Sequence, residues 1–426
     1  MKKTLFILFA GTISPILFAG GFQLNMQGNK ATALGGSFCS LAWDASSVFY
    51  NPGGIARLNG HQFTAGGFLI VPKVSLQTSS YDNINQTSKN ATPIHLYYSG
   101  NIKPNLWIGF GLNNQFGSSS SFDPNWQGRY IVQNIGLRTF MYQPTVAYKI
   151  HEKIAIGAGF TFTTGNFEYG KAIPVGNNQI DYGKANLQGS GRGYSFNAGI
   201  HALPWETEIS GGKISTGLGV SYRHKIKLDL TSAKATFTDI PSSLQNTFPG
   251  EQSFDASLTL PAVLTGGVHV KYVKNDWAFT LTFDWQRNFW SSYDTLKFDF
   301  ENPETPDAET PKNWKDVNTL RWGLDVTFKE KYSARFGIYR DQTPIPDGYV
   351  SPELPDNTHT GFTGGIGIAI NENVSMDASF LYSYFERPNA SLDNEGFQAS
   401  YRRRVLVFGL GVNVKFGHSQ KTSAQQ

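Results

Sequence analysis

The side chains able to do chemistry are dispersed along this chain. Eight histidines are scattered, with no His-Glu-x-x-His pair to hold a catalytic zinc, and no Gly-x-Ser-x-Gly turn offers an activated serine. Cys39 is the single cysteine, so neither an intramolecular disulfide nor a Cys/His metal cluster can form. No Lys/Arg run exceeds Arg402-Arg403-Arg404 and the net charge is only +4, which offers nucleic acid no footing. The chain therefore reads as no enzyme, without metal or cofactor. The polar residues that stand out do so by position. Leu106, Ile108, Phe110 and Leu112 repeat at every second place, and the next member of that series is Asn114, inside Asn113-Asn114-Gln115 and just before Phe116-Gly117. A side-chain amide facing hydrocarbon is costly unless the strand bends and other groups bond to it. The pattern thus predicts an inward kink at Asn113, Asn114 and Gly117, the alternative being a strand end that lies beyond the hydrocarbon.

That cost matters only if the segment faces lipid, and the surrounding chain says that it does. Lys2 and Lys3, the apolar stretches 5–9 and 13–18, and the small pair Ala19-Gly20 have the order of a secretory signal, with cleavage expected near Ala19. Pro15 and the short apolar length exclude a spanning helix, which takes roughly 20 apolar residues in a row. Mean hydropathy is −0.30, ordinary for a soluble protein. Yet 45 Gly, 32 Phe, 19 Tyr and 9 Trp beside only 16% charged residues suit strands whose outer faces meet lipid. Ile154, Ile156, Ala158, Phe160 and Phe162 share one face, with Ala155, Gly157, Gly159, Thr161 and Thr163 opposite. Phe279 to Trp285, Trp322 to Phe328 and Phe408 to Phe416 repeat the pattern.

Fourteen such segments can be placed, near 61–72, 92–100, 106–117, 139–150, 154–169, 191–203, 214–231, 260–273, 277–299, 318–329, 332–341, 360–370, 374–387 and 400–416. The number is even, as a closed bacterial barrel requires. Tight turns at 151–153, 274–276, 330–331 and 371–373 alternate with long polar loops such as 232–259, 300–317 and 342–359, so short turns should face the periplasm and long loops the outside. A soluble sandwich would also alternate, but fourteen long segments behind a signal, with aromatic strand ends, favour a membrane barrel. Residues 20–60 break the pattern and can fold into the lumen as a plug, with Cys39 a small buried member of it. The expected organisation is all-β: signal peptide 1–19, N-terminal hatch 20–60, a 14-stranded antiparallel transmembrane β-barrel 61–416 and a short tail 417–426. Both termini should lie in the periplasm and the barrel should be a monomer among lipid and lipopolysaccharide. Arg402 to Arg404 should meet head groups or loops at the outer rim.

Gly21-Phe22-Gln23-Leu24-Asn25, then Asn51-Pro52-Gly53, Asp123-Pro124-Asn125-Trp126, Gly128-Arg129-Tyr130, Gln143-Pro144-Thr145, Ser221-Tyr222-Arg223, Asn313-Trp314-Lys315-Asp316 and Asp341-Gln342-Thr343-Pro344 occur in one order. In these motifs the chain resembles the FadL/TodX family of outer-membrane transporters, with Gly53 where the family usually has Ala in its Asn-Pro-Ala hatch motif. The resemblance implies passive uptake of fatty acids or other hydrophobic compounds, captured at outer loops and released sideways through a kink in the third strand. It also implies that Phe22 lines a ligand pocket and that Arg192, Lys312 or Lys315 contact a ligand head group; the alternative for the three cations is ordinary solvated loop charge. The turn Asn51-Pro52-Gly53-Gly54 is the expected partner of the kink. A general diffusion porin or a structural barrel is the competing reading. A porin should crowd its lumen with charge, whereas the inward register here reads as mostly Gly, Ala, Ser, Thr and Asn.

Overall fold

A computed structural model describes residues 21–78, 83–87, 89–176 and 182–417. The expected signal peptide and the tail beyond Gly417 lie outside the described residues. The chain forms a closed antiparallel barrel of fourteen strands. They are β1 (His61–Gln77), β2 (Ile94–Lys103), β3 (Leu106–Asn113, resuming as Gly117–Ser121), β4 (Asn134–His151), β5 (Ile154–Pro174) and β6 (Tyr182–Ile209). Next come β7 (Gly212–Arg223 with Ile226–Thr238), β8 (Glu251–Leu260 with Ala262–Lys274), β9 (Trp277–Phe289 with Thr295–Phe300) and β10 (Ala308–Pro311 with Val317–Phe328). The last four are β11 (Tyr332–Asp341), β12 (His359–Ala369), β13 (Val374–Leu392) and β14 (Phe397–Phe416). β14 closes on β1 in unbroken register from His61 opposite Phe416 to Gln77 opposite Ser400. Closure of the first strand on the last removes the two free edges that an open sheet would present to lipid. The break in β8 falls at Pro261, which has no N–H to donate to a ladder.

The alternation expected from sequence is real and has the sense of a membrane protein. On β5, Ile154, Ile156 and Phe160 are exposed while Ala155, Thr161 and Thr163 are fully buried. Apolar side chains thus point out and small or polar ones point in, around the whole wall. Of the expected long loops, 232–259 is mostly strand and 300–317 holds a short one. β7 runs on to Thr238 and β8 begins at Glu251, so 232–259 shrinks to a loop over 239–250, and Ala308–Pro311 pairs within 300–317. The period-two pattern does persist there, with Ala233, Ala235 and Phe237 buried against exposed Lys234 and Thr238. Its outward members are polar, and that made it read as loop. β6 likewise starts at Tyr182, nine residues earlier than the alternation of its apolar face indicated.

The residues before β1 fill the lumen. Two short helices, Asn29–Ala33 and Ser47–Tyr50, a 3-10 turn, Pro52–Arg57, and the chain between them bury Ala31, Leu34, Phe38, Leu41, Val48 and Ile55 completely. None of these helices is long enough to be stable alone; they persist because the wall surrounds them. The inward register is also more charged than its sequence suggested. Arg321 on β10 donates to the Gly35 carbonyl at 3.0 Å and to Asn25 Oδ1 at 2.9 Å, and Asp284 on β9 accepts from the Phe38 and Cys39 amides at 2.8 and 2.9 Å. Arg223 Nη2 donates to the Phe49 carbonyl at 3.0 Å. These inward charges bond to backbone of the N-terminal segment, which explains why a lumen of mostly small residues carries them at all.

The first described residue is not at the short-turn end, where both termini were expected. Gly21 N–H donates to Asp356 Oδ2 at 3.0 Å, in the long loop between β11 and β12, while Gly417 sits at the opposite end beside His61. The segment thus traverses the lumen from the long-loop end to β1 at the short-turn end.

Candidate functional site

The third strand breaks where its polar run predicted. β3 faces β4 with Asn113 opposite Met141, then resumes with Gly117 opposite Arg138, so three residues of β3 span what two of β4 do. That extra residue is a bulge, and it carries the upper half of β3 away from β2. The β2–β3 ladder ends at His95 opposite Asn113. Above it, among the described residues, the facing segments are bridged by Ile94 N–H to Asn114 Oδ1 at 2.9 Å, by Gln86 Nε2 to Ser120 Oγ and by Thr87 N–H to the Ser121 carbonyl at 2.7 Å. Between those bonds the wall is open. Asn114 is buried rather than facing lipid, and its Nδ2 donates to the Thr139 carbonyl at 2.6 Å, so the bend satisfies the amide that would otherwise be stranded.

The turn Asn51-Pro52-Gly53 does not meet this kink. Asn51 is fully buried, donating through Nδ2 to the carbonyls of Cys39 at 2.8 Å and Ile200 at 2.9 Å, and its Oδ1 accepts the Gly53 amide at 3.1 Å. It docks on β5 and β6, where a Cβ on Gly157 would come within 2.4 Å of the Pro52 carbonyl carbon. Backbone can approach there only because glycine offers nothing to collide with. The kink is backed instead by the start of the described chain. Leu24 N–H donates to the Gln115 carbonyl at 2.8 Å, Gly117 N–H to the Phe22 carbonyl at 3.1 Å, and Gln27 Nε2 to the Asn114 carbonyl at 2.8 Å. Residues 22–27 therefore stand in for the missing ladder from inside the barrel.

A cavity of about 880 Å³ lies behind this opening. Its border includes Phe22, Phe116 and Phe167 on the lumen side, both lips of the opening (89–94 and 116–120), and the outward-facing Arg138, Asn166 and Lys234. Bordered by lumen-facing and outward-facing residues alike, it is of the size that holds small apolar ligands. Inside, a side pocket of about 50 Å³ is built on aromatic rings. The Phe22 ring lies 4.8 Å from Trp290 and 5.7 Å from both Tyr293 and Trp314, and the rings of Trp290 and Tyr293 each sit 4.9 Å from Trp314. Burial pushes the Tyr293 phenol up to about 12, so it stays neutral.

Of the cations singled out in the sequence, the structure brings one to this pocket. Lys312 is buried, with Nζ 2.8 Å from Glu353 Oε2, itself buried. Burial lowers the ammonium pKa, but the adjoining Glu353 carboxylate outweighs it and the net shift is upward. Lys315 is exposed, and its backbone N–H is what bonds, to the Pro344 carbonyl at 2.9 Å. Arg192 is exposed on the outer face of β6, in register with Tyr194 and Phe196 and paired across to Asp229 and Thr164, so it cannot reach the cavity. Its strand starts earlier than expected, which moves Arg192 from a loop mouth to mid-strand and turns it outward. Of the arginine triplet, Arg402 and Arg404 face out, and Arg403 borders the cavity with its guanidinium 5.9 Å from the Phe385 ring centroid. Sequence reasoning did not single out Trp290, Tyr293 or Glu353. Trp314 was within its reach, inside the quoted Asn313-Trp314-Lys315-Asp316, whereas Glu353 lies 41 residues from its partner in a loop without periodicity.

Comparison with known proteins agrees with this architecture. Residues 10–416 match the family model described as Outer membrane protein transport protein (OMPP1/FadL/TodX). The long-chain fatty acid transport protein of Escherichia coli is 22% identical, covering 97% of this chain and 100% of that protein. Among solved structures, a Pseudomonas aeruginosa FadL homologue superposes with a TM-score of 0.76 at 17% identity, covering 93% of this chain and 100% of that one. The Pseudomonas putida toluene transporter TodX gives 0.69 at 14% identity, with 92% and 99% covered. At such identities the superpositions establish the fold.

Proposed function

The chain belongs to the FadL/TodX family of outer-membrane transport proteins, and from that premise we propose that it takes up long-chain fatty acids or comparable hydrocarbons and releases them sideways between β2 and β3. The observation that carries this reading is a cavity that reaches from Phe22 in the lumen to a break in the wall. A hydrocarbon passed through a water-filled pore would forfeit about 0.8 kcal/mol per CH₂ that burial in protein or lipid retains. A lateral exit into the bilayer avoids that loss. In this reading residues 20–60 act as a hatch over the lumen, and outward cations above the apolar band, such as Arg192, Lys234 and Arg404, face lipopolysaccharide head groups around a monomer. Relatives carry both kinds of cargo in their names, a long-chain fatty acid in one and toluene in another.

The purified barrel in proteoliposomes should bind hydrophobic ligands with a dissociation constant on the order of micromolar. It should not pass small sugars. Swelling of the vesicles in isotonic sugar, with no hydrophobic ligand found by mass spectrometry of the purified protein, would establish the porin reading instead. Within the pocket, Phe22→Ala removes the ring that Phe116, Trp290, Tyr293 and Trp314 surround. Ligand affinity, followed by quenching of tryptophan fluorescence, should fall roughly tenfold, about 1.4 kcal/mol. The heat-dependent gel shift of the folded barrel should be retained, because Phe22 makes no ladder contact in the barrel's closing pair of strands.

A further inference from the structure

The aromatic pocket contains a cation that is already neutralised. Lys312 Nζ and Glu353 Oε2 are 2.8 Å apart, both side chains are buried, and they are the charged residues on the pocket's border. The two members are not equally placed. Glu353 borders both the large chamber and the pocket, while Lys312 borders only the pocket. A ligand coming from the chamber therefore meets the carboxylate first, with the ammonium behind it. Other cations of the cavity, Lys89, Arg138, Lys234 and Arg403, border the chamber and not the pocket. An anionic head group entering the pocket would have to displace Glu353 and leave that carboxylate buried without its partner, which is strongly unfavourable. An uncharged ligand leaves the pair intact and gains only burial against the rings.

Resting on the reading of this cavity as a hydrophobic-cargo site, we propose that Glu353, which borders both chamber and pocket, is its specificity determinant: the chamber, with the pocket at its inner end, selects uncharged apolar molecules, such as aromatic or aliphatic hydrocarbons and long-chain alcohols, over fatty-acid anions. Lys312 serves as the tether of Glu353 and not as a free head-group clamp. A fatty acid enters the pocket in its protonated form.

The test uses the full-length protein in neutral detergent, titrated with a long-chain alcohol and with the carboxylate of equal chain length, above the acid's own pKa. Quenching of Trp314, which borders the pocket, reports its occupancy. The alcohol should bind at least about tenfold more tightly than the carboxylate. Glu353→Gln frees Lys312, and carboxylate affinity should then rise roughly tenfold with alcohol affinity little changed. Glu353→Ala leaves the same unpaired ammonium and should likewise raise carboxylate affinity relative to alcohol, which decides the matter if Glu353→Gln alone misfolds. A carboxylate bound as tightly as the alcohol by the unaltered protein would overturn the inference while leaving the hydrophobic-cargo reading in place. Failure of both ligands to bind would overturn that reading and the inference together. A carboxylate-to-alcohol ratio unchanged in Glu353→Gln would likewise refute a selective role for this residue.

Discussion

Deletion of Gln115 should abolish uptake while leaving ligand binding in place. Between Asn113 opposite Met141 and Gly117 opposite Arg138, β3 carries one residue more than β4. Removing that residue gives both halves of β3 a single register against β4, and 116–121 can then continue alongside β2. The ladder closes, because each freed amide and carbonyl gains a neighbour where, among the described residues, a few scattered bonds now span the opening. Most of the walls of the aromatic pocket come from elsewhere, from Tyr293, Lys312, Trp314 and Ile345. Binding followed by tryptophan quenching should therefore stay within a few-fold of the parent, whereas import into vesicles or cells should drop by at least about tenfold once the bulge is gone. The deletion removes the Leu24 N–H to Gln115 carbonyl bond as well, so the gel shift of the folded barrel must be checked first. Undiminished import in a correctly folded deletion would mean that cargo leaves by another route.

What the sequence made legible follows from where the solvent is. Lipid outside and a packed lumen inside force opposite residue types onto alternate positions, so all fourteen strands could be placed from a period of two. The same logic located the kink, because Asn114 breaks an otherwise apolar outward series. It failed where that contrast fades. Above the lipid the outward residues are polar too, so β6, β7 and β8 extend farther than their apolar faces do, and Arg192 was put at a strand start when it is mid-strand and outward. Partners remote in sequence were invisible for a different reason. Asn51 bonds to Ile200, Asp284 to Cys39 and Lys312 to Glu353 across separations that no local pattern encodes. The turn at Asn51-Pro52-Gly53 was correctly seen as a close-packing device but assigned the wrong wall. Gly157 on β5 is what admits it, and one inward glycine among many in the sequence gives no sign of that.

The charges that hold the lumen segment are the second place where a single change should have a large effect. Arg335 on β11 contacts Asp325 on β10 at 2.9 Å and Asp377 on β13 at 2.6 Å. Lys30 of the lumen segment lies 3.7 Å from the same Asp377 and 3.2 Å from Asp44, whose Oδ1 accepts the Ser46 amide at 2.9 Å. All five charged side chains are largely buried, so each depends on the next for the solvation that water would supply. Arg335→Ala leaves Asp325 without a cation and Asp377 with only the more distant Lys30. Breaking a buried pair from one side costs about 3–5 kcal/mol. The barrel ladder around Arg335 has its own hydrogen bonds and should survive, and the stranded Asp325 and Asp377 regain solvation only if water enters as the lumen segment over them loosens. A cost of that size raises the population of a loosened segment by more than about a hundredfold. Limited proteolysis should accordingly cut within 21–60 in Arg335→Ala but not in the parent, with the barrel fragment still showing its heat-dependent gel shift. Arg335→Met combined with Asp325→Asn removes a cation and an anion together and should restore much of the resistance, since the penalty comes from the unmatched charge and not from the lost contact. Equal resistance of parent and Arg335→Ala would show that packing of Leu34, Phe38 and Ile55 holds the segment without help from these ions.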